Sequence, residues 1–241
     1  MSDIKVDYAD TVYCSVADVE GLFRKDTAFA RDSNPTDNEV LQLIRSNSDK
    51  IDRYTRHAWR ANTVNEEYKD YDTTYRWDAG RPVQLNKMHI RSLNKLEIWD
   101  GSQWDDWVAG NEKEGRDEDY WLDERMGQLF IYDRFVWRAR PQLRVTYTYG
   151  DDTATSSKTL DDGTSYTVID GPHDIKEACY KLTAADLILS DQHTNLVPGG
   201  DGAPSPERAA ESWRNDVYGN DMIPGMLERH KIDPAWVEPY G

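Results

Sequence analysis

The chain has 241 residues, of which 45 are acidic and 29 basic, and it carries a formal net charge of −16. This balance argues against a protein that grips duplex DNA or an anionic membrane, because both need clustered Lys and Arg. The sequence contains no apolar run of about 18 residues, the length that would predict a membrane span. The N-terminal MSDIKVDYAD lacks the basic and apolar regions of a secretory signal. Cys14 and Cys179 are interpreted as free thiols in a reducing compartment.

The kind of acidity is informative. Aspartate accounts for 31 of the acidic residues, whereas lysine accounts for only 11 of the basic ones. Nine Trp and fourteen Tyr argue against general disorder, which is poor in large aromatic residues. High salt screens the self-repulsion of such a surface. We therefore expect a halophilic source, with an ordinary acidic protein as the alternative.

Two capping boxes mark the beginnings of helices in the first quarter of the chain. The pattern Ser-x-x-Asp begins at Ser15, and Thr-x-x-Glu begins at Thr36. Apolar residues then recur at a helical period. The sequence predicts a short helix over 16–24 and a long one over 37–59.

The texture changes between 61 and 150, where aromatic and β-branched residues alternate with polar ones. Asp100-Gly101 and Met126-Gly127 predict two hairpin turns, because glycine tolerates a positive φ. The stretch Leu143–Tyr149 alternates strictly and is stopped by Gly150. These patterns predict an antiparallel β module.

Helical patterns return near the C-terminus. Pro172 opens a predicted helix over 173–191, and Ser205 caps another over 206–217 that has Pro206 at its first position. Neither pair of helices can bury its apolar stripe alone, so we expect the two pairs to pack together. The predicted fold class is α+β: a bundle of about four helices with an inserted antiparallel β module. The expected parts are an N-terminal arm at 1–14, a helical core at 15–60 plus 172–217, the β module at 61–150, a loop or hairpin at 151–171, and a C-terminal tail at 218–241.

The tail mixes Gly and Pro with isolated apolar residues and has no core of its own. We expect it to dock on another protein, with an intrachain clasp over the helices as the alternative. Its candidate anchors are Met222, Ile223, Met226, Leu227 and Trp236.

No catalytic or metal-binding pattern rises above background. The five histidines lack the spacing of a zinc pair, and neither a GxSxG motif nor a phosphate-binding loop is present. Three carboxylate clusters, at 105–106, 112–119 and 151–152, offer oxygen ligands for Ca²⁺ but do not match an EF-hand loop. We expect no enzyme activity, no cofactor and no bound metal.

The aromatic residues of the β module have three interpretations: core packing, a platform for sugar rings, and a protein interface, where Trp, Tyr and Arg are enriched. We favour core plus interface. The candidates for a subunit interface are Trp104, Trp107, Arg134, Trp137 and Arg138.

The order of these elements resembles the head–tail connector, or adaptor, proteins of long-tailed double-stranded DNA viruses. The resemblance lies in four stretches: the short helix with VADVEGLF at 16–23, the long helix from Glu39 to Thr55 with the turn RHAWR after it, the strand at 143–150, and the helix at 174–187 after a proline. The large β module is a departure, because many such adaptors are smaller and mostly helical there.

The resemblance implies a non-enzymatic ring of subunits, typically a dodecamer, seated beneath the portal protein in the virion neck. Such a ring extends the DNA channel and presents a platform to the next neck or tail protein. DNA passes through during genome ejection without tight binding, and an acidic wall suits that task. The acidic composition suits a virus of salt-loving archaea, whose proteins are made in the host cytoplasm.

Two other classes remain open. A sugar-binding or adhesin module of a virion or cell surface explains the Trp-rich β module but not the capped helices on both sides of it. A hydrolase with an unrecognised site is the third class.

The charge predicts that stability depends on salt. We expect the melting temperature to rise between 0.1 M and 1 M KCl, because the screening length falls from about 10 Å to about 3 Å. Thermal unfolding followed by circular dichroism tests this, with sucrose as the uncharged control. An unchanged melting temperature contradicts the expectation.

Overall fold

The computed structural model describes residues 5–23, 28–71, 82–116, 118–132, 141–151, 153–190, 205–219 and 225–232. The fold is mixed α+β and divides into two compact units. Within the described residues, 5–9 and 60–151 belong to the β unit, and 10–59 and 153–232 belong to the helical unit.

Among the described residues, no helix combines the length and the apolar character needed to cross a membrane.

Two antiparallel sheets form the β unit. The larger has the strand order β1-β2-β8-β4-β5, and the smaller has the order β3-β7-β6. The strands are β1 (Lys5–Asp7), β2 (Asn62–Lys69), β3 (Val83–Gln84), β4 (Ile90–Trp99), β5 (Trp104–Asp106), β6 (Tyr120–Asp123), β7 (Gln128–Ile131) and β8 (Leu143–Tyr149).

Both predicted hairpins are confirmed. β4 pairs with β5 across Gly101, which has a φ of 102°, and β6 pairs with β7 across Gly127, which has a φ of 64°. At Gly127 a Cβ would lie only 2.2 Å from the carbonyl oxygen of Lys87, so both the backbone angle and the space require glycine there. The alternation of β8 is also confirmed, with every second side chain buried.

A buried carboxylate ties the β unit together. Glu67 on β2 is only 2% exposed and accepts hydrogen bonds from the hydroxyl of Tyr147 on β8 at 2.6 Å and from the backbone N–H of Asn86 at 3.0 Å. Lys69 pairs with it at 2.9 Å. Burial, together with the neighbouring carboxylate, raises the pKa of Tyr147 well above its ordinary value, so that side chain remains a donor.

The helical unit contains four α-helices, a hairpin and a short 3-10 helix in its described residues. They are α1 (Val16–Glu20), α2 (Asp37–Thr55), the hairpin of β9 (Thr155–Thr159) and β10 (Ser165–Ile169), α3 (His173–Leu189), α4 (Pro206–Tyr218) and the 3-10 helix Met226–His230. Both capping boxes form as predicted, at Ser15 and at Thr36. Ser205 likewise caps α4, with Pro206 at its first turn.

Helix α3 lies at the centre of this unit and is buried on most of its circumference. A polar seam joins it to α2: the amide of Asn47 donates to the hydroxyl of Thr183 at 3.2 Å, and both side chains are fully buried. The hydroxyl of Ser48 on α2 lies 3.6 Å from the sulfur of Cys179 on α3. These small side chains allow the two helices to approach closely.

The helices differ from the predictions at their ends. α1 stops at Glu20 rather than at 24. α2 stops at Thr55 rather than at 59, because Arg56 adopts a left-handed conformation with a φ of 58°. Leu189, at the end of α3, is 41% exposed, whereas Leu187 and Ile188 are buried.

The helical unit is not a bundle of helices alone. Tyr166 and Val168 of β10 contribute to the same apolar core as the helices, and the hydroxyl of Tyr166 contacts the backbone N–H of Val16 at 3.2 Å. The segment 151–171, predicted as a loop or hairpin, therefore contains a core-forming hairpin. The physical reason is the pattern of β10 itself, where Tyr166, Val168 and Ile169 are buried and give the hairpin an apolar face.

Residues 5–14, the described part of the predicted N-terminal arm, also differ from the prediction. Lys5–Asp7 pair with β2 in the β unit. Val12, Tyr13 and Cys14 are at most 2% exposed in the helical core. Tyr13 donates to the buried carboxylate of Asp52 on α2, and this contact anchors the segment.

The 3-10 helix depends on a close backbone approach at Gly225. A Cβ at this position would lie 2.3 Å from the carbonyl oxygen of Val217 and 2.2 Å from the backbone nitrogen of Gly219. We expect Gly225→Ala to lower the free energy of unfolding by about 1–3 kcal/mol, the usual cost of overpacking. Urea unfolding of the full chain measures it.

Gly21→Ala is the matched control, because a Cβ at Gly21 meets only ordinary contacts at 3.5 Å or more and its φ is −60°. We expect this variant to unfold at the same urea concentration as the wild type or at a slightly higher one. Equal stability of the two variants contradicts the close approach.

Candidate subunit interface

One face of the five-stranded sheet presents a cluster of aromatic and charged side chains. The strand register places Tyr68 of β2 opposite Arg144 of β8, and Arg144 opposite Glu97 of β4. Trp99 of β4 stands opposite Trp104 of β5. Opposite residues share a face of a sheet, so these side chains form one patch, which we name the aromatic row.

The rings of the aromatic row meet edge to face. The ring centroids of Trp99 and Trp104 are 5.5 Å apart with an interplanar angle of 63°, and those of Tyr68 and Trp104 are 6.2 Å apart with an angle of 69°. The guanidinium carbon of Arg144 lies 5.0 Å from the centroid of Trp104. Tyr68 is 42% exposed, and both tryptophans are partly exposed. The row thus offers large, preorganised side chains to solvent.

An ion pair between Arg144 and Glu97 holds the side chains of the row in place. Arg144 donates from Nε to Oε2 of Glu97 at 2.8 Å and from its terminal nitrogen to the other carboxylate oxygen. The hydrogen bonds to Glu97 raise the pKa of Arg144 above its ordinary value, whereas burial of the guanidinium opposes this rise. Glu66 adds a weaker contact to Arg144 at 3.7 Å. Because the charges are matched here, the row is polar in composition yet contributes little net charge.

The structure separates the five residues predicted for the interface. Trp104 belongs to the aromatic row. Trp107 is only 6% exposed and packs near Tyr120, with ring centroids 6.4 Å apart, so it is a core residue of the monomer and not an exposed anchor. Arg134, Trp137 and Arg138 lie outside the described residues.

Sequence reasoning missed Tyr68, Glu97 and Trp99 as members of the row. The hairpin turn at Asp100-Gly101 was sufficient to pair Trp99 with Trp104. The places of Tyr68 and Glu97 opposite Arg144 were not accessible in that way, because bulges shift the register of both β2 and β4 against β8. Only the pairing of three strands reveals their common face.

A second aromatic stack lies on the three-stranded sheet. Trp121 and Phe130 stand opposite each other on β6 and β7, with centroids 5.0 Å apart and an interplanar angle of 30°. The guanidinium carbon of Arg116 lies 4.4 Å from the Trp121 centroid. The indole of Trp121 thus has two neighbours within the chain and stays partly exposed.

The C-terminal anchors behave differently from the prediction. Leu227 is fully buried in the helical core, so it clasps its own chain rather than a partner. Tyr54 donates to Glu228, the backbone N–H of Ile232 donates to the carbonyl of Thr55 at 2.9 Å, and His230 contacts Asp174 at 2.6 Å. Met226 is partly buried in the same clasp. Met222, Ile223 and Trp236 lie outside the described residues.

An open depression lies between α1 and α3. It has a volume of about 400 Å³, and its wall carries the ion pair between Lys176 and Asp18 at 2.8 Å. Burial tends to raise the pKa of Asp18, but hydrogen bonds from Lys176 and Ser15 outweigh it and lower the pKa. The two charges satisfy each other and leave no net charge for a ligand.

Comparisons with known proteins give two solved structures of similar architecture. One is a chain from the neck of an empty GTA particle, with a TM-score of 0.47 and 16% identity over 87% of this chain and 94% of the other. The second comes from the virion of a native gene transfer agent particle, with a TM-score of 0.43 and 17% identity over 86% and 94% of the two chains. No protein-family model and no curated protein matches the chain. At TM-scores below 0.5 these likenesses assign no function to it.

Loss of the arginine under the row should destabilise the β unit. Arg144→Met leaves Glu97, which is 9% exposed, as an unpaired buried charge, and we expect the free energy of unfolding to fall by about 1–3 kcal/mol. The double variant Arg144→Met with Glu97→Met should recover most of that loss, because two apolar side chains replace the pair.

Urea unfolding of the wild type, both single variants and the double variant completes the thermodynamic cycle. Additive losses in the double variant contradict a coupled pair.

Proposed function

We propose that this protein is a structural component of a virion neck, a head–tail adaptor that forms a ring beneath the portal protein. The ring extends the channel for DNA and provides the platform on which the next neck or tail component assembles. The proposed location is the virion neck, after synthesis in the host cytoplasm, and the proposed host is a salt-loving archaeon.

One observation carries the proposal: the four stretches that resemble adaptors build the framework of both units. Three of them contain α1, α2 and α3, whose buried residues share one core. The fourth is β8, the central strand of the five-stranded sheet. A resemblance spread over unrelated loops would have little weight, whereas this one falls on the elements that determine the packing.

The charge supports the role in DNA passage. With a net charge of −16, the chain has little capacity to neutralise phosphates, and phosphate contacts dominate non-specific affinity for DNA. A channel wall of this kind lets DNA slide rather than adhere. The role requires no enzymatic activity, cofactor or metal ion.

The aromatic row supports assembly over sugar binding. A sugar platform needs flat, exposed ring faces, but the rings of Trp99, Trp104 and Tyr68 cross at 63–69° and Arg144 covers one face of Trp104. Exposed Trp, Tyr and Arg at one patch are the residue types that anchor protein interfaces. We propose that the aromatic row contacts the neighbouring subunit of the ring.

The C-terminal anchors outside the described residues, Met222, Ile223 and Trp236, keep a proposed role in docking on the portal protein. Leu227 is excluded from that role because the clasp buries it. The clasp would hold the end of the chain in place beside the partner.

Assembly of the purified full chain tests the proposal. We expect native mass spectrometry and single-particle electron microscopy to show a closed ring, a dodecamer, that binds the portal protein of the same virus. A chain that stays monomeric at high concentration and does not bind the portal protein overturns the proposal.

Two tryptophan variants test the role of the row within this assembly. Trp104→Ala should abolish the ring while the monomer stays folded by circular dichroism. Trp121→Ala is the matched control, since it removes a partly exposed tryptophan of a sheet that also carries an arginine over its ring. If both variants form rings, the row is not a subunit contact.

A further inference from the structure

Several strands of the described chain lie at sheet edges, β1, β3 and β6 among them, and we consider two others, β5 and β9, whose edges carry opposite charges. β5 pairs only with β4 and lies at the edge of the five-stranded sheet, and β9 pairs only with β10. An open edge presents unpaired N–H and C=O groups to solvent and is a template for pairing with another chain. The two edges differ in length and charge, and these differences make them complementary.

The hydrogen bonds of the hairpin determine which groups of β9 point outward. Leu160 donates to Thr164 at 2.9 Å and Asp170 donates to Ala154 at 2.7 Å, so the even-numbered residues of β9 bond to β10. The backbone groups of Thr155, Ser157 and Thr159 therefore point away from the hairpin. In the part of the chain that the structure describes, no hydrogen bond reaches them.

The same reasoning applies to β5. Asp100 donates to Gln103 at 3.0 Å and Trp107 donates to Leu96 at 2.8 Å, which places Asp105 in a bonded pair with β4. The backbone groups of Trp104 and Asp106 point outward, and within the described residues no backbone partner meets them.

The charges of the two edges are opposite. All five side chains of β9 are exposed, and Lys158 is the single charged residue among them. β5 carries Asp105 and Asp106 beside the aromatic row. In a chain with a net charge of −16, most surfaces repel a second copy, so the edge that bears a lysine and no acid is the one that β5 can approach.

We propose that the β9 edge of one copy pairs with the β5 edge of the next copy, which joins two sheets across the subunit boundary. Such a contact uses two different surfaces, so it is heterologous, the type of contact from which rings of subunits are built. Main-chain hydrogen bonds give affinity, Lys158 faces Asp105, and Trp104 of the aromatic row flanks the joint. This inference rests on the proposed function, because it specifies how the ring is made.

A proline at Ser157 tests the backbone contact. Its N–H points away from β10, so Ser157→Pro removes an outward donor and leaves the hairpin ladder intact. Ser157→Ala is the control, because it changes the side chain and keeps the N–H. We expect Ser157→Pro to stay folded by thermal unfolding but to lose the ring in native mass spectrometry, and Ser157→Ala to keep it.

A charge exchange tests the pairing partner. Lys158→Glu and Asp105→Lys should each weaken ring formation at the lowest salt at which the wild type stays folded, and the double variant should restore it. Lys95→Glu, the same change at an exposed position of β4, should leave the ring intact.

The outcomes separate the two proposals. If Ser157→Pro still forms rings, or if the double charge variant assembles no better than the single ones, the edge pairing is wrong while the adaptor ring stands. If Ser157→Pro unfolds, the charge exchange alone tests the edge pairing. A wild-type chain that never assembles overturns both.

Discussion

The helical unit depends on the burial of one helix, α3. Because α3 is apolar on most of its circumference, no single neighbour can cover it. α2 closes one side through the seam of Asn47 and Thr183, and the other sides are closed by α1, α4 and the 3-10 helix. The covering elements come from two chain segments, 10–59 and 153–232, so the core cannot form until both are present. Folding of this unit is therefore a long-range event.

Polar groups inside the two cores specify register as well as stability. Glu67 in the β unit accepts from Tyr147 and from a backbone N–H, and Asp52 in the helical unit accepts from Tyr13. A buried carboxylate without such donors would be costly, so each contact selects one arrangement of the strands or segments around it. The net negative charge of the chain opposes compaction. Within each unit, these hydrogen bonds hold together residues that are far apart in the sequence.

The aromatic residues of the β unit fall into two groups, those packed inside and those that remain partly exposed. Trp107 and Tyr120 are packed inside, and Trp121 packs against Phe130 and Arg116 of the same sheet unit. Tyr68, Trp99 and Trp104 remain partly exposed, held by neighbours that fix their rings but do not cover them. Side chains fixed in advance lose little entropy on binding, which is the physical reason for proposing this patch as the subunit contact.

Local chemistry determined much of the secondary structure from the sequence. The capping boxes at Ser15 and Thr36, the glycine turns at 101 and 127 and the alternation of β8 depend on residues a few positions apart, and all of them appear in the structure. The sequence also determined the charge and hence the classes of partner that are disfavoured.

The tertiary structure alone decided features that join distant residues. It buried Leu227 in a clasp, drew 12–14 into the core and exposed Leu189, because burial depends on what the rest of the chain places against each side chain. It also assembled Tyr68, Glu97 and Arg144 into one patch, since strand pairing and the β2 bulge set their common face. Periodicity finds an apolar stripe, but only packing determines whether the chain itself or another molecule covers it.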